Sequence, residues 1–125
     1  MRERAPIVER ALQVHGHLEP HEHQGLLRHW SNLDHTLQAF DDEAIDIQLF
    51  INERDTPGQN VTLEVRVPGH RPLVAHGKNV VLSAALHHVR DSMARQLAEL
   101  KRRGEPRHAR ALRASGRRPG DVAPP

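Results

Sequence analysis

The sequence predicts an α+β fold, a two-layer β-α-β-β-β-α sandwich in which helices cover one face of a four-stranded sheet. Three observations predict it. Ile45, Ile47, Leu49 and Ile51 interleave with Asp46, Gln48 and Phe50, and Val61, Leu63, Val65 and Val67 interleave with Thr62, Glu64 and Arg66, which is the period of half-buried strands. Leu26, Trp30, Leu33, Leu37 and Phe40 recur three or four residues apart, an apolar helical seam. Residues 80–103 repeat that spacing through Leu82, Leu86, Val89, Met93, Leu97 and Leu100.

In chain order, residues 1–6 are expected to be a disordered lead-in, and residues 7–15 are the first ordered piece, read as a half-buried strand in which Leu12 and Val14 alternate with Gln13 and His15. The helix of residues 18–40 follows, with Pro20 suited to its first turn and Gly25 costing about 1 kcal/mol relative to Ala, so that this turn is expected to fray or start late. Asp41, Asp42 and Glu43 form an acidic connection to the first of the two alternating strands. These two are expected to pair as a hairpin, with Pro57-Gly58 placing a glycine at a positive φ, and the strands of the sheet are expected to be antiparallel. A turn at Pro68-Gly69 leads to a short strand at residues 73–76 and then to the last helix. Residues 7–103 make one domain. Residues 104–125, rich in Arg, Pro and Gly and without an apolar period, read as a basic disordered tail.

The charge is uneven. Residues 1–100 hold 10 Lys and Arg against 14 Asp and Glu, whereas residues 101–125 hold 8 against 2, so the net +2 conceals an acidic body and a basic end. A concentrated basic block favours polyanions through phosphate neutralisation and counterion release. The outer phase of the last helix carries His87, His88, Arg90, Arg95, Lys101, Arg102 and Arg103, and Arg107 and Arg110 continue the basic run. These nine residues are the candidate polyanion-binding set.

Enzymatic constellations are missing from the pattern. The glycines are scattered instead of forming a phosphate loop, no serine sits in a nucleophile elbow, and the chain has no cysteine, so no catalysis and no cofactor are expected. Eleven histidines, among them His15-Gly16-His17 and His21-Glu22-His23, make a metal-binding module on His15, His17, His21 and His23 the alternative reading. Trp30 belongs to the apolar seam, and Phe50, in the polar phase of its strand, is assigned to the edge of the core, with an exposed platform for a base or partner as the alternative. The charged N-terminus is unlike a signal peptide and no segment has the roughly 18 apolar residues of a membrane span, so a soluble cytoplasmic protein is expected.

Several short motifs, in this order of elements, resemble one family. Val67-Pro68-Gly69 followed by Leu73-Val74-Ala75-His76, then Ala84-Ala85-Leu86, then Arg95-Gln96-Leu97 with Lys101 are similar to the ribosome hibernation-promoting factors, also called ribosome-associated inhibitors or sigma-54 modulation proteins. The resemblance spans residues 12–103 and is to the short form, since nothing in residues 104–125 corresponds to the long form's dimerisation domain. It implies a double-stranded-RNA-binding-domain-like fold and a non-catalytic stress factor that occupies the decoding channel of the small ribosomal subunit and blocks translation. The implied partners are the small subunit and its ribosomal RNA, with no membrane and no small-molecule substrate. Arg95, Lys101, Arg102 and Arg103 match the basic end of the family's last helix. Ser83, Ser92 and Glu99 depart from it, standing where the family has an aromatic residue and two lysines. A protein-interaction module of the same fold that has lost RNA binding is a further alternative, which the acidic body permits.

Overall fold

A computed structural model describes residues 6–40 and 44–110, with the side chains of residues 104–110 left aside. The order is α1 (Ile7–Ala11), β1 (Leu12–His15), α2 (Pro20–His29), α3 (Ser31–Leu37), β2 (Asp46–Asn52), β3 (Asn60–Arg66), β4 (Leu73–Lys78) and α4 (Leu82–Arg110). The sheet order is β1-β2-β3-β4, and the helices pack on one face of it, the predicted α+β architecture.

The core lies between the layers. Ile47, Leu49 and Ile51 of β2 and Val61, Leu63 and Val65 of β3 turn inward, every residue of the predicted α4 stripe, from Leu82 to Leu100, is buried, and α4 packs on β3 and β4. Gly77 lets α4 approach β4 closely: a Cβ there would lie 3.0 Å from the Ala85 carbonyl oxygen and 3.2 Å from Val89 Cγ1. Gln96 closes the other end of that contact, donating to the Val74 carbonyl at 2.9 Å. The helix therefore runs antiparallel to β4.

Four local expectations are corrected. The segment 7–15 is not one strand, because Ile7 and Val8 are adjacent and both buried, which alternation forbids. They open the short helix α1, and their amides donate to the two Asp34 carboxylate oxygens at 2.8 Å each. Nor is the sheet wholly antiparallel. β1 pairs parallel to β2, Leu12 opposite Ile47, because the connection through α2 and α3 is a crossover that brings the chain back in the same direction. The predicted helix of residues 18–40 is two helices, bent at the buried Trp30 with φ −98° and ψ 13°. Its first turn forms at Pro20, held by the Glu22 carboxylate accepting from the Glu19 amide at 3.0 Å. In the β2–β3 hairpin the positive φ angles fall at Glu53 and Asp55 and not at Gly58. The Gln59 side chain dictates this: its carbonyl accepts from the Asp55 amide at 3.0 Å, while its NH2 donates to the carbonyls of Asn79 and Val80 at 2.9 and 3.0 Å. By contrast Gly69 adopts φ +81° in the β3–β4 turn, as Pro68-Gly69 predicts.

Two segment boundaries also shift. β4 continues to Lys78, and the backbone of α4 stays helical to Arg110, into the stretch 104–125 expected to lack regular structure. Residues 1–5, the acidic connection 41–43 and residues 111–125 lie outside the described residues.

Candidate nucleic-acid interface

The helical layer carries a seam where α2 and α3 lie beside α4, and cationic side chains border it. At its centre Arg90 crosses the seam, donating to the His29 carbonyl at 3.0 Å and, through Nε and Nη2, to Asp91 Oδ1 at 2.9 and 2.7 Å. The guanidinium takes up a carbonyl at the C-terminal end of α2, where a positive charge is favoured. It also holds the Asp91 carboxyl below the usual carboxylate range. Arg90, expected on the outer face, is half-buried and satisfied within the chain.

The remaining predicted residues fall into three groups. Arg95 and Lys101 are exposed and make no hydrogen bond or ion pair among the described residues. Arg102 and Arg103 are exposed too, but both lean on Glu99, Arg102 by a hydrogen bond and Arg103 Nη1 at 3.7 Å. Glu99, where the resembled family has a lysine, is therefore an internal counterion. His87 and His88 are exposed; the His87 ring lies 5.4 Å from that of His29 at 56°, and its Nδ1 is 3.0 Å from the Ser83 carbonyl. Arg107 and Arg110 lie on the helical backbone of α4; their side chains are outside the described residues.

Two concavities open along the seam. Toward the C-terminal part of α4, His35 and Thr36 of α3 face Ala98, Lys101 and Arg102 across a shallow groove of about 320 Å³. Its α4 wall is cationic. Toward the start of α4, a cleft of about 200 Å³ has an apolar floor of Leu26, Trp30, Leu82 and Leu86. Glu22, Gly25, His29, Ser83 and His87 complete its rim.

Three cations outside the predicted set, Arg28, Arg71 and Lys78, are also exposed and make no hydrogen bond or ion pair among the described residues; Arg28 lies on α2, Arg71 in the β3–β4 turn and Lys78 on the open face of the sheet. Arg54, conversely, is spent on structure: it meets Glu22 in a two-pronged pair at 3.0 and 2.7 Å and donates to the His17 carbonyl at 3.0 Å, tying the β2–β3 loop to the first turn of α2. That pairing is the main reason the Glu22 carboxyl falls to about 2, with the Glu19 amide adding to it. The Glu-x-x-Glu spacing of residues 19–22 beside Pro20 was the available sign of a helix start; nothing in the sequence marks Arg54 as its partner.

The histidine pairs of the metal alternative do not converge. His15 stacks on Phe50 with centroids 4.6 Å apart and hydrogen bonds Gln48, and His17 pairs with Glu19 at 2.6 Å. Among the described residues no group of three His, Asp or Glu side chains is placed to hold a metal ion. Phe50 stands on the open face of the sheet, in a row with His15, Thr62 and His76 across the four strands. No helix among the described residues is long and apolar enough to cross a membrane.

No protein-family model and no curated protein sequence matches the chain. Among solved structures, the fold is similar to that of a ribosomal subunit interface protein from Coxiella burnetii, with a TM-score of 0.53 and 14% sequence identity over 73% of this chain and 97% of that one. At this identity the likeness is one of fold.

Proposed function

We propose that this chain is a non-catalytic ribosome-binding factor of the hibernation or stress type, which lies in the decoding channel of the small subunit against ribosomal RNA and blocks translation by occupancy. The observation that carries the reading is the pair of exposed cations on α4 without a hydrogen bond or ion pair among the described residues, Arg95 and Lys101, together with the groove that Lys101 and Arg102 line, on a fold similar to that of a ribosomal subunit interface protein. RNA in the A form is recognised through shape, phosphates and 2′-hydroxyls, which asks for spaced cations on a rigid scaffold more than for base-reading side chains. A helix clamped to the sheet by Gly77 and Gln96 is such a scaffold. Arg102, Arg103, Arg107 and Arg110 extend the same element, and Arg90 sets the position of α2 against it.

The test is co-sedimentation of the full chain with purified small subunits at two salt concentrations. Binding should weaken with salt with a log–log slope of about −0.7 to −0.9 per phosphate contact, and the Arg95→Ala, Lys101→Ala double variant should bind more weakly with a shallower slope. Absence of co-sedimentation at low salt, or a double variant indistinguishable from the parent, would sink this reading.

A further inference from the structure

The cleft at the start of α4 has a feature that stability does not explain. Gly25 sits inside α2, where glycine costs about 1 kcal/mol relative to alanine. Yet it is not required there: its φ is ordinary, and an added Cβ would meet nothing nearer than Arg28 Nη2, at 3.8 Å. A side chain at this position would instead stand at the rim of the cleft. A locally unfavourable residue whose effect is to keep a cavity open points to use of that cavity.

The lining says what the occupant is. The floor of Leu26, Trp30, Leu82 and Leu86 suits a flat apolar face, and about 200 Å³ is below the range of ordinary small-molecule pockets, so the guest is a single ring system. The rim is polar, with one cation, Arg28, beside it. His29 and His87 bring two imidazoles, Ser83 a hydroxyl, and Arg28 an uncommitted guanidinium beside Gly25. The one acid there, Glu22, is neutralised by its two bonds to Arg54, and Asp91 beyond the rim is neutralised by Arg90. An aliphatic side chain of a protein partner would use the floor and leave the rim idle. A nucleotide uses both, its base on the floor with polar edges toward the imidazoles and hydroxyl, and its phosphate at Arg28.

We infer that the α2–α4 cleft receives one unpaired nucleotide of a bound RNA strand. The inference rests on the RNA-binding reading of the same helical layer and adds to it a site for a single extruded base, in register with the cationic groove further along α4.

Trp30 is the chain's sole tryptophan and forms part of the floor, so its fluorescence reports on the site directly. Titration of the full chain with a short unstructured RNA should quench Trp30, whereas a blunt, fully paired RNA should leave it unchanged. Gly25→Leu, which fills the rim, should weaken the quenching titration about tenfold, the loss of one stacked base, while raising or preserving the melting temperature. Gly25→Ala should give a smaller loss with a higher melting temperature, and stands in should the leucine variant not fold. No quenching by the unstructured RNA, or equal affinity in both variants, overturns the inference. Quenching by a mononucleotide as tight as by the strand also overturns it, by assigning the cleft to a free nucleotide. Small-subunit co-sedimentation separates the two readings: quenching without co-sedimentation removes the ribosome and leaves the cleft, and co-sedimentation without quenching does the reverse.

Discussion

Replacing Glu22 by Gln tests how the α2 end of the interface is held in place. The substitution keeps the side chain's shape and an acceptor for Arg54 but removes the charge. With the carboxyl taken from its ordinary 4.5 down to about 2, chiefly by the Arg54 hydrogen bonds, full retention would correspond to roughly 3 kcal/mol of stability. The pair is not sealed from water, since the Glu22 and Arg54 side chains keep 25% and 18% of their exposure, so screening brings the expectation to about 1–2 kcal/mol. Because the folded carboxyl is the more acidic, this stability is present above pH 4.5 and lost as the pH falls toward 2. Urea unfolding of the two proteins should therefore give a gap of about 1–2 kcal/mol at pH 7 that narrows through this window as the parent's Glu22 is protonated. A gap that stays constant down to pH 2, or no gap at pH 7, would refute the assignment of the pair as the anchor of α2.

Gln59→Leu removes three hydrogen bonds and leaves the Asp55 amide and the carbonyls of Asn79 and Val80 without their partner, inside a nearly closed site. Chemical denaturation should report a loss of about 2–4 kcal/mol, and a loss below about 0.5 kcal/mol would mean that water replaces the side chain there. Glu99→Gln frees Arg102 and Arg103, so small-subunit binding should tighten and its salt slope should steepen by up to about 0.9. The same change at Glu64, on the open face of the sheet beside Arg66, should alter neither quantity appreciably.

What was legible in the sequence is what periodicity encodes locally. The α4 stripe and the two alternating strands needed no knowledge of their neighbours, because burial of one face is written into spacing alone. Two of the failures are cases where a distant residue decides. Residues 7–11 became helical because Asp34 takes the amides of Ile7 and Val8, and the turn before β3 was set by Gln59 reaching across to the chain just before α4. The site divides in the same way. Arg95 and Lys101 could be placed on an exposed face from helical phase, whereas the capture of Arg90 by a carbonyl 61 residues away, and the cleft between α2 and α4, exist only once the two helices are side by side.

The acidic count of residues 1–100 would oppose binding to a polyanion if net charge decided it, but a net charge is the wrong quantity for a surface of this size. Much of the acid is answered locally: Glu22 by Arg54, Glu64 by Arg66, Asp91 by Arg90 and Glu99 by Arg102. Asp34 spends its carboxylate on the amides of α1, and Asp46 accepts from Gln48 on the open face of the sheet. The exposed faces of a helix-on-sheet domain are roughly 20 Å apart, one helix diameter plus one layer spacing. Charges on the far face are therefore separated from the α4 surface by more than two screening lengths at physiological salt, about 8 Å each. A phosphate at Arg95 or Lys101 responds to their immediate surroundings, in which the acids are Asp91, already bonded to Arg90, and Glu99. The distribution leaves one layer of the domain able to meet RNA while the other stays neutral or acidic, which favours a single orientation on a polyanionic surface.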